Sequence, residues 1–349
     1  MNNLPILQLL QTLISTPSFS REEDATAGII FDFLQGSNLA PKRHLNNVYA
    51  FNQHYSPQKK TLLLCSHHDT VRPAAGYTRN PLAPTIEDGK LYGLGSNDAG
   101  ASVVSLIHCF TTFFNKELPF NLVLAIVAEE EVQGPNGIES IKPLIGKIDC
   151  AIVGEPTQMQ AAVGERGLMV LDCTAHGVQG HAARNEGKNA LYMALDDIAW
   201  LREFEFPQIS ERMGKIKMTA TMIQCGTQHN VIPAECKFVV DVRPTDAYDN
   251  EEIVRILQQN MQSTVTPRST RLRASSIADE HPLVQAAKRI GCTTYVSPTT
   301  SDIALLRVPS LKIGVGDSSR SHSADEFVYL REIEEGIATY EQLIQNMVQ

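Results

Sequence analysis

The sequence has no CxxC pair, no surplus of positive charge, no apolar run long enough to cross a bilayer and no basic residue before Arg21. Each absence removes a class of function. The seven cysteines (Cys65, Cys109, Cys150, Cys173, Cys225, Cys236 and Cys292) are scattered and odd in number. Neither a disulfide framework nor a zinc knuckle is indicated, and they read as reduced core residues of a cytoplasmic protein. A net charge of -9 leaves no electrostatic footprint for nucleic acid or an anionic membrane. Without a long apolar stretch no membrane span is expected. The early apolar residues Ile6, Leu7, Leu10, Leu13 and Ile14 recur at helical spacing, which argues against a secretory signal. The Gly-x-Gly of "YGLGSNDAGAS" lacks both the full dinucleotide fingerprint and the lysine of a P-loop. What remains is a chain of 349 residues, 43% hydrophobic, long enough for two domains and suited to small-molecule work.

Strand-like and helix-like segments alternate up to about residue 160, the pattern of a mostly parallel sheet flanked by helices. From about residue 168 to 275 the texture changes. "LMVLDCTAH", "NALYMALDDIAWLREF", "KIKMTATMIQC", "ECKFVVDVR", "NEEIVRILQQNMQ" and "RLRAS" read strand, helix, strand, strand, helix, strand. That order is the split βαβ, or ferredoxin-like, α+β unit. The expected organisation is a catalytic α/β domain in two parts, residues 1–166 and 276–349, with a lid or dimerisation domain, 167–275, inserted between them. "SLKIGVG" reads as a further buried strand of the first domain, and "LREIEEGIATYEQLIQNMV" as its closing helix.

Three apolar runs end in residues able to ligate a metal. "TLLLCS" runs into His67, His68 and Asp69, "NLVLAIVA" into Glu129, Glu130 and Glu131, and "CAIVGEP" contains Glu155. Each has an ordinary reading alone: a loop hydrogen bond for His67 and Asp69, a helix N-terminus for the glutamates, a turn at Glu155, an exposed loop at His322. Ligands of open α/β sheets, however, gather beyond the carboxyl ends of the strands, so these ends should converge. Three adjacent carboxylates repel one another unless a cation, a proton or water takes up the charge. Together with Asp98 in its glycine-flanked loop and the late His322, the set offers two imidazoles and three carboxylates. This mixed N/O set suits zinc, or cobalt or manganese, and is large enough for two divalent ions.

In order and spacing these motifs resemble the dinuclear-zinc deacylases and exopeptidases that include acetylornithine deacetylase and succinyl-diaminopimelate desuccinylase. The resemblance covers nearly the whole chain. It implies that "SHHDTV" supplies His67 as a ligand with Asp69 behind it, and that "GLGSNDAG" supplies Asp98 as the bridge between two metals. In "EEEVQGPNG" it makes Glu130 the general base and Glu131 a ligand; "GEPT" and "SHSADEF" supply Glu155 and His322. "GVQGHAARNEGKNA" resembles the segment whose histidine, His181, reaches a neighbouring active site in a homodimer. "HNVIP" and "DVRPTD" place Asn230 and Arg243 against substrate. The chain departs from the family pattern at Ala99, Gly100 and Ala101 after Asp98, at Glu129, where an aspartate is usual, and at "GVGDSS" before the last histidine. Glu129 is expected to be structural.

The implied activity is metal-dependent hydrolysis of an N-acyl amino acid, first an acetylornithine-type deacylation in arginine biosynthesis. Removal of a succinyl group from ornithine, citrulline or diaminopimelate, or di- and tripeptide cleavage, are the alternatives. A non-catalytic metal-binding protein is disfavoured because no ligand count requires Glu130. A two-metal phosphoesterase is disfavoured by the resemblance alone.

Overall fold

Leu62, Leu63, Leu64 and Cys65 are at most 1% exposed, and every position of the strand Thr61–His67 is buried. Burying both faces needs partners on both edges and helices above and below, and the chain supplies them. In the computed structural model, which describes residues 5–184 and 186–348, this strand lies parallel to Asn121–Val127 on one side and to Cys150–Val153 on the other. Ser310–Lys312 adds a fourth parallel strand beside Cys150–Val153. The sheet continues antiparallel at both margins, through Asn47–Phe51 and Lys42–His44 at one and Ala161–Glu165 at the other. It is therefore a mixed sheet with a parallel centre. Each fully buried leucine of the central strand contributes about 1.5–3 kcal/mol of burial energy.

Helices Pro5–Ser15, Asp24–Gly36, Ala101–Phe113 and Leu330–Val348 belong to this unit. Ala101–Phe113 buries nearly every residue, as a helix wedged between the sheet and Leu330–Val348 must. Tyr340 of the last helix is wholly buried and satisfies its hydroxyl by donating to the Ile313 carbonyl at 2.7 Å. No helix of the described residues is long and apolar enough to cross a membrane.

A second compact unit comprises Gly164–Ser275 with Val296–Thr300. Its four strands run in the order Lys217–Cys225, Glu235–Arg243, Met169–His176, Thr264–Pro267, all antiparallel, and helices Ala190–Glu203 and Asn250–Asn260 belong to the same unit. Along Glu235–Arg243 the residues Cys236, Phe238, Val240 and Val242 are buried in alternation. The last strand differs from the sequence reading, which put it at "RLRAS". Val265 instead pairs with Cys173 and is 3% exposed, so Thr264–Pro267 takes the ladder. The segment that follows is held by side chains: Asn250 Nδ2 donates to the carbonyls of Thr270 and Leu272, and Arg273 pairs with Asp249 and Glu251.

Candidate metal centre

The parallel register sets His67 opposite Val127, so the strand carrying His67 and the strand leading to Glu129–Glu131 end at the same level. His67 is 1% exposed. Its Nδ1 lies 3.0 Å from the Asp69 carbonyl oxygen and 3.5 Å from Asp69 Oδ1, so Nδ1 donates toward Asp69 and Nε2 is the nitrogen left free to meet a metal once it gives up its proton. That Nε2 faces Asp98 Oδ1 at 3.2 Å and Glu155 Oε1 at 3.9 Å. Asp69 does more than orient the imidazole. Its buried carboxylate also accepts from Ser20 Oγ at 2.8 Å and from the backbone N–H groups of Glu130 and Glu131 at 3.0 and 3.1 Å. One carboxylate thus aligns the histidine and the glutamate turn. Burial opposes its ionisation, but the bonds from His67 and Ser20 outweigh this and hold it below the usual aspartate range.

The glutamates diverge. Glu129, with φ 56°, turns away, and its carboxylate accepts from Asn136 N at 3.3 Å and Asn136 Nδ2 at 2.8 Å. Gly134 is required there, because a Cβ on it would collide with the Glu129 carboxylate. Glu129 is a structural pin of this turn. Glu131 lies 3.0 Å from His322 Nε2, which is also 3.7 Å from Asp98 Oδ2. The two oxygens of Asp98 therefore face different histidines, Oδ1 with His67 and Glu155, Oδ2 with His322 and Glu131. Glu130 stands beside them: its donor atom lies within 4.8 Å of those of His67 and Glu155, as do the donor atoms of His67, Asp98 and Glu131 among themselves.

These residues fit two divalent ions. Burial, then repulsion from Glu155, pushes the Glu130 carboxyl well above the usual range, and burial likewise raises Glu155 against the attraction of His67. Glu155 Oε1 is buried with no hydrogen-bond partner among the described residues. Buried carboxylates this close require a proton or compensating positive charge, and the donors are the imidazole nitrogens and carboxylate oxygens that zinc accepts.

Four residues of the neighbourhood escaped the sequence reading. Glu326, 2% exposed, accepts the backbone N–H groups of Gly95, Asn97 and Asp98, each at 2.9 Å, and so fixes the turn that carries Asp98. Asn97 ties the same turn to the His322 loop, accepting from Asp317 N at 2.9 Å and donating to the Asp317 carbonyl at 3.1 Å. Asp302 and Lys312 are 2% and 5% exposed; the first adds to the repulsion on Glu130, the second lowers the Glu155 carboxyl. Lys312 had a signal, a lone charge inside the apolar "SLKIGVG". Glu326, four residues after His322, had none, because an acceptor of backbone N–H groups is invisible until the turn is built. Glu326→Ala should leave three buried donors unsatisfied and cost at least about 3 kcal/mol, at 1–3 kcal/mol each. Denaturant unfolding measures it; unchanged stability would mean that the turn finds other acceptors.

His181, Asn230 and Arg243 belong to the second unit. His181 pairs with Val231 across a short antiparallel ladder, and Ala182 N donates to the Asn230 carbonyl at 3.0 Å, so His181 and Asn230 are neighbours on an exposed surface. Arg243 is half-buried and paired with Asp241, its Nε 2.8 Å from Oδ1.

Residues 63–346 match the sequence pattern described as peptidase family M20/M25/M40. The chain belongs to this family. Among the relatives of this M20/M25/M40 chain, succinyl-diaminopimelate desuccinylase of Xanthomonas campestris pv. campestris is 27% identical, over 98% of this chain and 99% of that protein. Of solved structures, aminopeptidase PepT from Bacillus cereus superposes with a TM-score of 0.79 at 16% identity, covering 99% of this chain and 98% of that one. A dinuclear metal-binding M20 peptidase from Bacillus subtilis superposes at 0.74 with 14% identity, covering 98% and 97%. As a member of the family, the chain is a metal-dependent hydrolase of amide or peptide bonds.

In metal-free protein the centre should respond to pH with a definite sign. Burial and the Asp98 charge push Glu326 up to about 7 from the ordinary 4.5, and Glu130 and Glu155 rise too. A carboxyl raised by folding contributes stability that is complete below its unfolded value and is lost as pH rises through its folded value. His322, lifted to about 9 by its bond to Glu131, adds a loss of the same sign at higher pH. Bound dications need ionised carboxylates and neutral imidazoles, so they bind better as pH rises. The Tm gap between metal-loaded and metal-free protein should widen steadily from about pH 5 to about pH 8. A constant gap would show that these groups do not titrate with metal.

Proposed function

We propose that the chain removes the acyl group from an N-acyl amino acid, acetylornithine-type deacylation being the first reading and desuccinylation of ornithine, citrulline or diaminopimelate derivatives the second. The observation that carries the hydrolytic role is Glu130, a buried carboxylate beside the centre while Glu131 and Glu155 complete the two ligand sets of Asp98. His67, Asp98 and Glu155 would hold one ion; Asp98, Glu131 and His322 would hold the other. Zinc suits these donors first, with cobalt or manganese as alternatives. Such a pair of ions supplies positive charge that acidifies water and steadies an oxyanion. Glu130 takes the proton from the attacking water and returns it to the nitrogen of the departing amine. Asp69 keeps the His67 ring and the Glu130–Glu131 backbone in place. The desuccinylase among the relatives supports the second reading.

Amine release should be measured on N-acetyl and N-succinyl derivatives of ornithine, citrulline and diaminopimelate, with di- and tripeptides alongside. Preference for acetylornithine supports the first reading, preference for a succinyl derivative the second. Cleavage of peptides alone would overturn both.

The second unit is proposed as a lid and dimerisation domain. Its sheet begins with the edge strand Lys217–Cys225, whose outer side is unpaired among the described residues, where Met222 and Ile223 are 65% and 50% exposed, and helix Ala190–Glu203 exposes Tyr192 by 65%. Exposed edges are templates for pairing, and a second copy would cover this one symmetrically. His181 would then serve the partner's centre, with Asn230 and Arg243 contacting substrate. Mixing inactive Glu130→Gln and His181→Ala proteins under subunit exchange should restore activity, because each mixed dimer holds one site with both groups intact. Mixed dimers verified by mass yet inactive would reject the shared site.

A further inference from the structure

Cys225 and Cys236 stand directly opposite each other on adjacent antiparallel strands of the second unit. Antiparallel pairs alternate between hydrogen-bonded positions and closer, non-hydrogen-bonded ones. The ladder between Glu235–Arg243 and Met169–His176 continues with Gly177 N donating to the Ala234 carbonyl, which makes Gly177 and Ala234 a hydrogen-bonded pair. Two positions on, Cys236 and Ala175 are then hydrogen-bonded as well. The backbone groups of Cys236 are thereby turned away from Cys225, and the two cysteines occupy the non-hydrogen-bonded position. Cα atoms there lie about 4.5 Å apart with side chains at their closest, inside the 4.4–6.8 Å range that a disulfide spans.

The opposed thiols also act on each other. Burial, and then the neighbouring Cys225 thiol, push Cys236 up to about 12. Cys236 is wholly buried, whereas Cys225 is half-buried, donates to the Glu235 carbonyl at 3.3 Å, and lines a concavity of about 540 Å³ with Asn189, Tyr192, Thr227 and His229. In a single copy one sulfur can be reached from outside, and a peroxide is small enough to reach it at the end of the edge proposed above for pairing; the other waits behind it. Among the described residues, none of the other five cysteines stands opposite a cysteine in the ladders of this unit's sheet or of the parallel centre.

We propose that Cys225 and Cys236 are a dithiol modification site, closed to a disulfide by a small peroxide of the hydrogen peroxide class. The Cys225 sulfur attacks one peroxide oxygen and the O–O bond breaks; the departing hydroxide takes the thiol proton and leaves as water. The Cys236 sulfur then attacks the resulting sulfenic sulfur, the S–S bond forms and the S–O bond breaks, and the second hydroxide leaves with the Cys236 proton as water. Two thiols lose two electrons in all, and one peroxide is reduced to two waters. Proximity compensates for the high value of the Cys236 thiol, since its partner stands directly opposite on the next strand. The bond closes the hairpin of residues 226–235, which carries Asn230.

The test treats the full-length, metal-loaded protein with hydrogen peroxide, blocks free thiols after denaturation, and digests with trypsin. Both cysteines fall in one peptide, Met218–Lys237, which has no internal Lys or Arg. That peptide should lose the mass of two hydrogens and take up no blocking reagent, and dithiothreitol before blocking should reverse both changes. In Cys236→Ser the same treatment should leave Cys225 as a sulfenic acid that dimedone traps, and in Cys225→Ser Cys236 should remain fully blockable. Both thiols of the parent still blockable after the other half-buried cysteine, Cys292, has been oxidised would overturn the proposal, as would a Cys225 disulfide to any other cysteine.

Discussion

Glu130→Gln is expected to leave the metal content of the protein almost unchanged while lowering turnover by about a hundredfold or more, the usual cost of losing a positioned general base. The substitution keeps the shape of the side chain and removes its proton acceptor. It also replaces a buried carboxyl, raised by burial and by Glu155, with a neutral amide, so the metal-free fold should not suffer. Gln133 Nε2, which lies 3.2 Å from Glu130 Oε1, can still donate to the amide oxygen. Elemental analysis beside a turnover assay separates the outcomes. Full activity would remove Glu130 from the chemistry, and loss of metal would make it a ligand, a role that its closeness to His67 and Glu155 permits.

Glu131→Gln should show the reverse phenotype. This carboxylate faces His322 at 3.0 Å and, with Asp98, would hold the second ion proposed above, so an amide in its place would remove charge that binds the cation. One of two ions should be lost on desalting, and activity should fall with it, since the two ions act as a pair. Addition of excess zinc should recover part of the activity here and none in Glu130→Gln. Were Glu131→Gln to keep two ions and lose activity, the base would have to move by one residue.

Much of this arrangement was legible because the relevant residues follow apolar runs that can only be buried strands. "TLLLCS", "NLVLAIVA" and "CAIVGEP" become Thr61–His67, Asn121–Val127 and Cys150–Val153, and their parallel register brings the residues after them to one level. Periodicity failed at "RLRAS", where alternation of charge and Leu272 imitated a strand. The true edge strand is four residues long and has one buried side chain, Val265, too weak a pattern to stand out. Sequence also gives ligand types but not the scaffolding beneath them. That Asp69 holds two glutamate N–H groups, and that Glu326 holds the Asp98 turn, depends on where backbone donors point. Asp302 and Lys312 come near the centre from distant parts of the chain, and no local spacing announces them.

Two divalent ions would complete the acidic cluster around Asp98, and stoichiometric loading tests this most directly. Metal-free protein should be titrated with zinc while bound metal and amine release from the best N-acyl amino acid are followed together. The expected result is binding that saturates at two ions per chain, with activity absent at the start and complete at the second equivalent. Binding that saturates below two ions per chain, or hydrolysis that proceeds undiminished without metal, would contradict it.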